Sequence, residues 1–299
     1  MPSREMQDVI EQFRLRRANR PAQPPSLDQV RANFLPAGKS YQLPEDAAVS
    51  EVSAGGVPAY WVDTPEADPN RVLLFVHGGG FSLGSLRSHG ELVARVGRAA
   101  GLRVLFPEYR LAPEYPYPAA LDDVRAVWKW LREEQGIAAD SIVLAGDSAG
   151  GTLAAALLIA LRDTGEQLPV AVALLSPVLD MTVSGDSVTE NDGVDVIFTP
   201  DMLRGAFAAY VGAADPRAPL VSPLFGKLDG LPPLLIQASS AELLLSDAER
   251  FADAAVAAGV EVTLQVRAGL PHVYPIVGDA PEARAATDDI GAFFRQRLG

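Results

Sequence analysis

From residue 72 onward, short apolar runs alternate with longer segments whose apolar positions recur every three or four residues. The runs at 72–76, 104–107, 142–145, 170–175, 233–238 and 262–266 are short and nearly continuous in apolar residues, as strands buried on both faces must be. Helical periodicity occupies about 86–100, 118–135, 149–163, 246–258 and 281–297. Ahead of these, 48–52 and 58–62 alternate apolar with polar, and Gly55-Gly56 between them reads as a hairpin turn. The pattern predicts an α/β fold: a mostly parallel eight-stranded sheet with helices on both faces, preceded by one antiparallel pair.

Two stretches do not fit the alternation. Residues 1–40 contain no strand signal. Val9, Phe13 and Leu15 suggest a short amphipathic helix, Pro21, Pro24 and Pro25 break it, and Ser26 caps a second helix running through Val30 to Phe34. Between the strand ending near Ser176 and the one starting near Pro233 lies a connection far longer than a usual crossover. It holds a polar loop at 182–195 and a helix opening at Thr199-Pro200. Residues 1–40 and the insertion 181–229 are therefore expected to form a helical cap over a body made of 41–180 and 230–299. Phe34, Ile197, Phe198 and Phe207 are apolar candidates on its underside.

The chemistry centres on Gly146-Asp147-Ser148-Ala149-Gly150, which matches G-x-S-x-G and sits between a predicted strand and a predicted helix. A serine on so tight a strand-to-helix turn is thrust out over the sheet end, and glycines flank it because a Cβ would collide with the neighbouring element. A serine nucleophile needs a base, an acid to orient the base, and donors for an oxyanion. Of three histidines, only His272 follows Ser148, in a loop after the last predicted strand. His77 is expected to brace its own loop, and His89 to be a bystander at a helix start. Two carboxylates compete for the acid. Glu242 falls in the loop after strand 233–238, whereas Asp247 falls in the first turn of the next helix, where the helix dipole alone favours an acid; Glu242 is preferred. His77-Gly78-Gly79-Gly80-Phe81 follows a predicted strand, and consecutive glycines let backbone N–H groups converge on a small anion. The expected donors are the amides of Gly79, Gly80 and Ala149. Asp147 and Glu108 are expected to fix loops.

Composition narrows the partners. A formal charge of -13 would repel a polyanion, so no nucleic acid is expected. The absence of cysteine removes disulfides, thiolate metal sites and a cysteine nucleophile. No apolar run is long enough for a membrane span, and no apolar core of an export signal follows the N-terminal arginines, which predicts no membrane association and a cytoplasmic location. The chemistry needs neither metal nor organic cofactor.

Taken together, His77-Gly78-Gly79-Gly80-Phe81, Tyr109-Arg110-Leu111-Ala112-Pro113-Glu114 and Gly146-Asp147-Ser148-Ala149-Gly150-Gly151 resemble the bacterial hormone-sensitive-lipase-like esterases of the α/β-hydrolase fold, from about residue 45 to the C-terminus. The resemblance implies Ser148 as nucleophile, His272 as base, Gly79, Gly80 and Ala149 as the oxyanion hole, and a helical cap. It further implies a carboxylesterase acting on small-molecule esters, with a homodimer as an assembly common among relatives. Two departures stand out. Glu242-Leu243-Leu244 occupies the place of the usual Asp-Pro-Leu, and Val273 and Tyr274 replace a glycine after the histidine, where they are expected to narrow the pocket. Lactone or amide hydrolysis by the same triad is the alternative. A lipase working at oil–water interfaces fits the acidic composition less well. A non-catalytic ligand receptor on this scaffold, like the plant gibberellin receptors, would lack the base histidine that is present here.

Overall fold

The computed structural model describes residues 1–19, 25–34 and 43–299. Pro21, Pro24 and the expected boundary at residues 40 and 41 lie outside the described residues. Eight strands form one sheet: β1 (Ala48–Ala54), β2 (Val57–Asp63), β3 (Asp68–Val76), β4 (Leu102–Pro107), β5 (Ile142–Asp147), β6 (Val172–Leu175), β7 (Leu234–Ser239) and β8 (Val262–Arg267), in the order β1-β2-β4-β3-β5-β6-β7-β8. β2 runs antiparallel to both β1 and β4, and every later pairing is parallel. Gly55 and Gly56 turn the first hairpin with φ of 62° and 87°, backbone that glycine adopts without a Cβ penalty.

The central strands are apolar at successive positions because both faces are covered. Val72, Leu74, Val76, Ile142, Leu144, Val172 and Leu174 point into one core; Leu73, Phe75, Val143, Ala145, Ala173 and Leu175 point into the other. Helices α3 (Leu86–Ala100) and α9 (Pro281–Leu298) close the second core through Leu92, Val96, Ile290 and Phe294. The first is closed by α4 (Ala119–Lys129), α5 (Ala149–Asp163) and α8 (Leu245–Ala257). Residues 149–161 of α5 are all buried, which explains its lack of a polar stripe. α4 continues as a π-helical turn at Trp130–Glu134, so the segment expected at 118–135 has two geometries. Parallel pairing places the C-terminal ends of β3, β5, β6, β7 and β8 along one edge, and every expected functional residue follows one of those ends.

The remaining helices lie over that edge. α1 (Arg4–Ala18) buries Met6, Val9 and Ile10 against Leu270, Tyr274, Val277 and Ala283. Its buried stripe is rotated from the expected one: Leu15 is 53% exposed, because the helix lies on the 270–277 loop and its last turn extends beyond that contact. α2 (Leu27–Asn33) buries no residue and is tied down by Arg31, which donates to the carbonyls of Ser82 and Ala112 and pairs with Glu114. The insertion contains α6 (Ser187–Glu190), a short helix inside what reads as a polar loop, and α7 (Pro200–Val211), capped by Thr199. Tyr210 of α7 stacks on Phe81 with ring centroids 3.6 Å apart, fixing the insertion to the glycine loop.

Candidate active site

Ser148 occupies the turn between β5 and α5 with φ 50° and ψ -118°, a conformation a side-chain-bearing residue holds only when its surroundings over-determine it. The surroundings are close-packed backbone. A Cβ on Gly146 would lie 2.4 Å from the Gly150 carbonyl oxygen, and one on Gly150 would lie 2.0 Å from that of Val76. Only glycine permits α5 to start so near β3. The sharp turn raises the Ser148 hydroxyl above the sheet edge, where its Oγ lies 2.9 Å from His272 Nε2. His272 Nδ1 lies 2.7 Å from Glu242 Oε2. Side chains 124 and 30 residues from His272 in sequence thus converge on one imidazole. All three side chains are buried.

Glu242 is itself oriented. Its Oε1 accepts from Ser176 Oγ and from the Ser239 amide, each at 2.7 Å. Ser176 Oγ in turn accepts the Val273 amide at 3.0 Å, so the loops of the acid and the imidazole share one hydroxyl. Because the Glu242 carboxylate accepts at both oxygens, the proton between it and His272 resides on Nδ1, leaving Nε2 to accept from Ser148. Burial works against charge on His272, but the hydrogen bond and the negative charge of Glu242, aided by Asp195 and Asp147, hold its pKa above the ordinary 6.5. The ring of Phe198, from the insertion, meets His272 edge-on at 4.9 Å.

On the opposite side of Ser148 the glycine loop leaves β3. Gly78 donates its N–H to Asp147 Oδ1 at 2.9 Å, so that amide is already engaged. A Cβ at Gly78 would sit 2.2 Å from Asp147 Oδ2, which makes glycine obligatory there. Gly79 and Gly80 follow with φ of 121° and 60°. Ala149, the third residue expected to donate, is the first residue of α5, directly after Ser148. His77 Nδ1 contacts the Gly78 carbonyl oxygen at 2.8 Å, and Tyr109 donates its hydroxyl to the His77 carbonyl at 2.7 Å while its ring stacks on the imidazole. Burial, reinforced by the neighbouring His89, lowers His77 to about 3, so it is a neutral brace.

A family model described as the alpha/beta hydrolase fold matches residues 73–276. An esterase of the bacterial hormone-sensitive lipase family superposes with a TM-score of 0.95 at 40% identity over the full length of both chains. The chain belongs to the hormone-sensitive-lipase-like family of α/β hydrolases. It is also 42% identical to an acetyl-hydrolase of Streptomyces hygroscopicus over 83% of each protein, and 35% identical to the esterase LipU of Mycobacterium tuberculosis over 91% of this chain and 93% of that one. A second structure, EstE5 from a crystal soaked with p-nitrophenyl butyrate, superposes at a TM-score of 0.93 with 33% identity over 99% of each chain.

Within this α/β hydrolase, the carboxylate that meets the imidazole is that of Glu242, and the competing Asp247 is engaged elsewhere. Its Oδ2 accepts the amides of Leu179 and Asp180, at 2.8 and 3.0 Å, so it anchors the start of the insertion and does not cap its own helix. Burial pushes it up to about 7. Glu108 receives the Leu86 amide at the start of α3, as a loop-fixing residue should. Two expectations need correction. Tyr274 does not narrow a pocket beside Ser148; it turns away into the cluster under α1, because the Val273 backbone at φ 50° reverses the chain. His89 is no bystander: it is fully buried with Nε2 3.4 Å from Asp147 Oδ2.

Sequence reading missed Ser176 and Asp195. Ser176 lies just past β6 at φ 45°. Asp195 accepts the Ile197 and Phe198 amides on one oxygen and the Leu243 amide on the other, tying the insertion to the Glu242 loop. A polar residue just past a core strand was the available signal for Ser176. Asp195 had none, being one acid in a polar loop. Among the described residues, no helix is long and apolar enough to cross a membrane.

Proposed function

We propose that the protein is a serine carboxylic-ester hydrolase acting on small to medium acyl esters through an acyl-enzyme. The observation that carries this reading is the continuous chain Glu242–His272–Ser148, with contacts of 2.7 and 2.9 Å, opposite a glycine loop whose first amide is already held. His272 Nε2 takes the Ser148 proton as Oγ bonds to the ester carbonyl carbon, and the carbonyl π electrons move onto oxygen. The resulting oxyanion is held by the amides of Gly79, Gly80 and Ala149. Collapse re-forms the carbonyl and breaks the C–O bond to the alcohol, which leaves with the proton from His272. Water then repeats the sequence on the acyl-Ser148 ester: His272 takes its proton, hydroxide bonds to carbon, and Ser148 leaves with the proton returned. Glu242 holds the imidazole by its Nδ1 and stabilises the imidazolium that forms twice per turnover. Residues 1–40 and 181–229 act as the cap, and Phe198 beside His272 supports an acyl site of limited length. The name of one relative, an acetyl-hydrolase, agrees with short acyl groups.

Rapid mixing with p-nitrophenyl butyrate tests this directly. One equivalent of p-nitrophenol is expected in a burst, followed by slower turnover, with acetate to hexanoate esters preferred over palmitate. Ser148→Ala is expected to remove the burst and lower turnover by about 10⁴-fold or more while remaining folded. Turnover retained in that variant would overturn the reading. Lactones and anilides in the same panel set its breadth.

A further inference from the structure

The mechanism above leaves one buried imidazole without a task. His89, in the second turn of α3, lies behind the glycine loop and faces the carboxylate of Asp147, the residue immediately before Ser148. Around it are Asp147 from the end of β5, His77 from the end of β3 with ring centroids 5.5 Å apart, Phe106 of β4, and Glu108 just after β4, whose pKa His89 lowers against the larger upward effect of burial.

Proton counting fixes which nitrogen of His89 donates. Ser88 Oγ accepts the Ser85 amide at 3.0 Å, and its single proton can go to the Ser85 carbonyl at 2.9 Å or to His89 Nδ1 at 2.8 Å. If it goes to Nδ1, the ring is the Nε2–H tautomer. If it goes to the carbonyl, Nδ1 must itself carry a proton to meet Ser88. Nε2 then needs one as well, since a bare lone pair would face a carboxylate. Both cases put a proton on Nε2, directed at Asp147. Burial disfavours charge on Asp147, yet His89 and the Gly78 amide keep its carboxyl below the ordinary value of 3.8. Asp147 spends that charge on the Gly78 amide. The next two peptide groups are those whose amides must face a developing oxyanion.

We propose that His89 is a positioning residue for ester hydrolysis: by holding the Asp147 carboxylate it fixes the Gly78 peptide, and so the direction of the Gly79 and Gly80 amides. The inference rests on the serine-esterase reading. It makes His89–Asp147 a second acid–imidazole pair on the far side of Ser148, one that aims main-chain donors and transfers no proton to substrate. A misdirected oxyanion donor costs transition-state binding while leaving the ground-state complex nearly unchanged.

The test compares His89→Leu with His89→Gln, whose amide can still donate to Asp147, using kcat and KM for p-nitrophenyl butyrate per burst-titrated site. Inhibition by a trifluoromethyl ketone, which binds Ser148 as an anionic hemiketal, is the second readout. For His89→Leu, kcat is expected to fall about 10–100-fold with KM within about twofold, ketone affinity should fall in parallel, and His89→Gln should recover most of both. A merely structural role would lower the titratable fraction or Tm and leave kcat per site and ketone affinity unchanged, and that result would overturn the proposal. So would a His89→Gln variant as impaired as His89→Leu. If His89→Leu does not fold, Ser88→Ala replaces it: a parallel loss in kcat and ketone affinity supports the proposal, and parental values for both overturn it. Ser148→Ala run alongside separates the two claims, since turnover without Ser148 would remove the esterase reading itself.

Discussion

The two sides of Ser148 are built differently. On one side, Glu242 and His272 are charged or chargeable side chains whose positions are set by other side chains, Ser176 and Asp195 among them. On the other, the proposed oxyanion donors are peptide amides, whose direction is set by the glycine backbone and by buried partners, Asp147, His89, His77 and Tyr109. A side chain can be replaced without moving the chain that carries it. An amide cannot be removed, only misdirected. The first side should therefore fail through lost chemistry and the second through lost aim, and the two failures have different kinetic signatures.

The largest loss is expected on the chemical side. His272→Ala should reduce kcat/KM for p-nitrophenyl butyrate by about 10⁴-fold or more, with an unchanged circular-dichroism spectrum. Glu242→Ala should follow at about 10²–10⁴-fold, since the imidazole survives without its orienting partner. Gly78→Ala tests the other side: its Cβ would strike the Asp147 carboxylate, and a loss of about 10²–10³-fold in kcat with little change in KM is expected. A loss confined to KM would erase the distinction between the two sides. The pH profile sharpens it further. Since the folded pKa of His272 is raised above 6.5, the neutral base disappears as pH falls through a value above 6.5, and kcat/KM should drop about tenfold per unit below it. Gly78→Ala should keep that midpoint, whereas Glu242→Ala should lower it. The smallest effect belongs to Asp247→Asn, expected to hold kcat within about threefold because the residue supports the insertion and not the imidazole. The sign of its effect on stability is fixed. A carboxyl at about 7 in the fold, against 3.8 ordinarily, contributes stability that is present below pH 3.8 and lost as pH rises through 7, so urea unfolding of the variant should show a flatter decline over that range.

How much of this was legible follows the same division. The sheet was readable because parallel strands covered on both faces are apolar at successive positions, and all eight strands were expected, with ends shifted by up to four residues, most at β3, which starts at Asp68 where 72 was expected. Of the three side chains that the structure brings together, Ser148 stands out in the sequence by its flanking glycines, His272 as the one histidine downstream, and Glu242 by following a core strand. These are properties of residue type and order. The partners of the glycine loop were not readable, because they exist only through the fold: His89 sits early in a helix, and the carboxylate it meets is 58 positions away at another strand's end (147 minus 89). α1 was recognised as amphipathic, but nothing in its own residues names the 270–277 loop as the surface that buries Met6, Val9 and Ile10. Its link to the insertion, Arg17 donating to the Asp195 and Phe198 carbonyls, leaves no pattern at all.

The most direct test of the central claim is a crystal structure of the enzyme after reaction with a p-nitrophenyl alkylphosphonate. Phosphorus is expected on Ser148 Oγ, with its non-bridging oxygen about 2.7–3.1 Å from the amides of Gly79, Gly80 and Ala149 and with His272 Nε2 on the opposite side. Phosphorus on another hydroxyl, or an oxygen turned away from those three amides, would contradict the account.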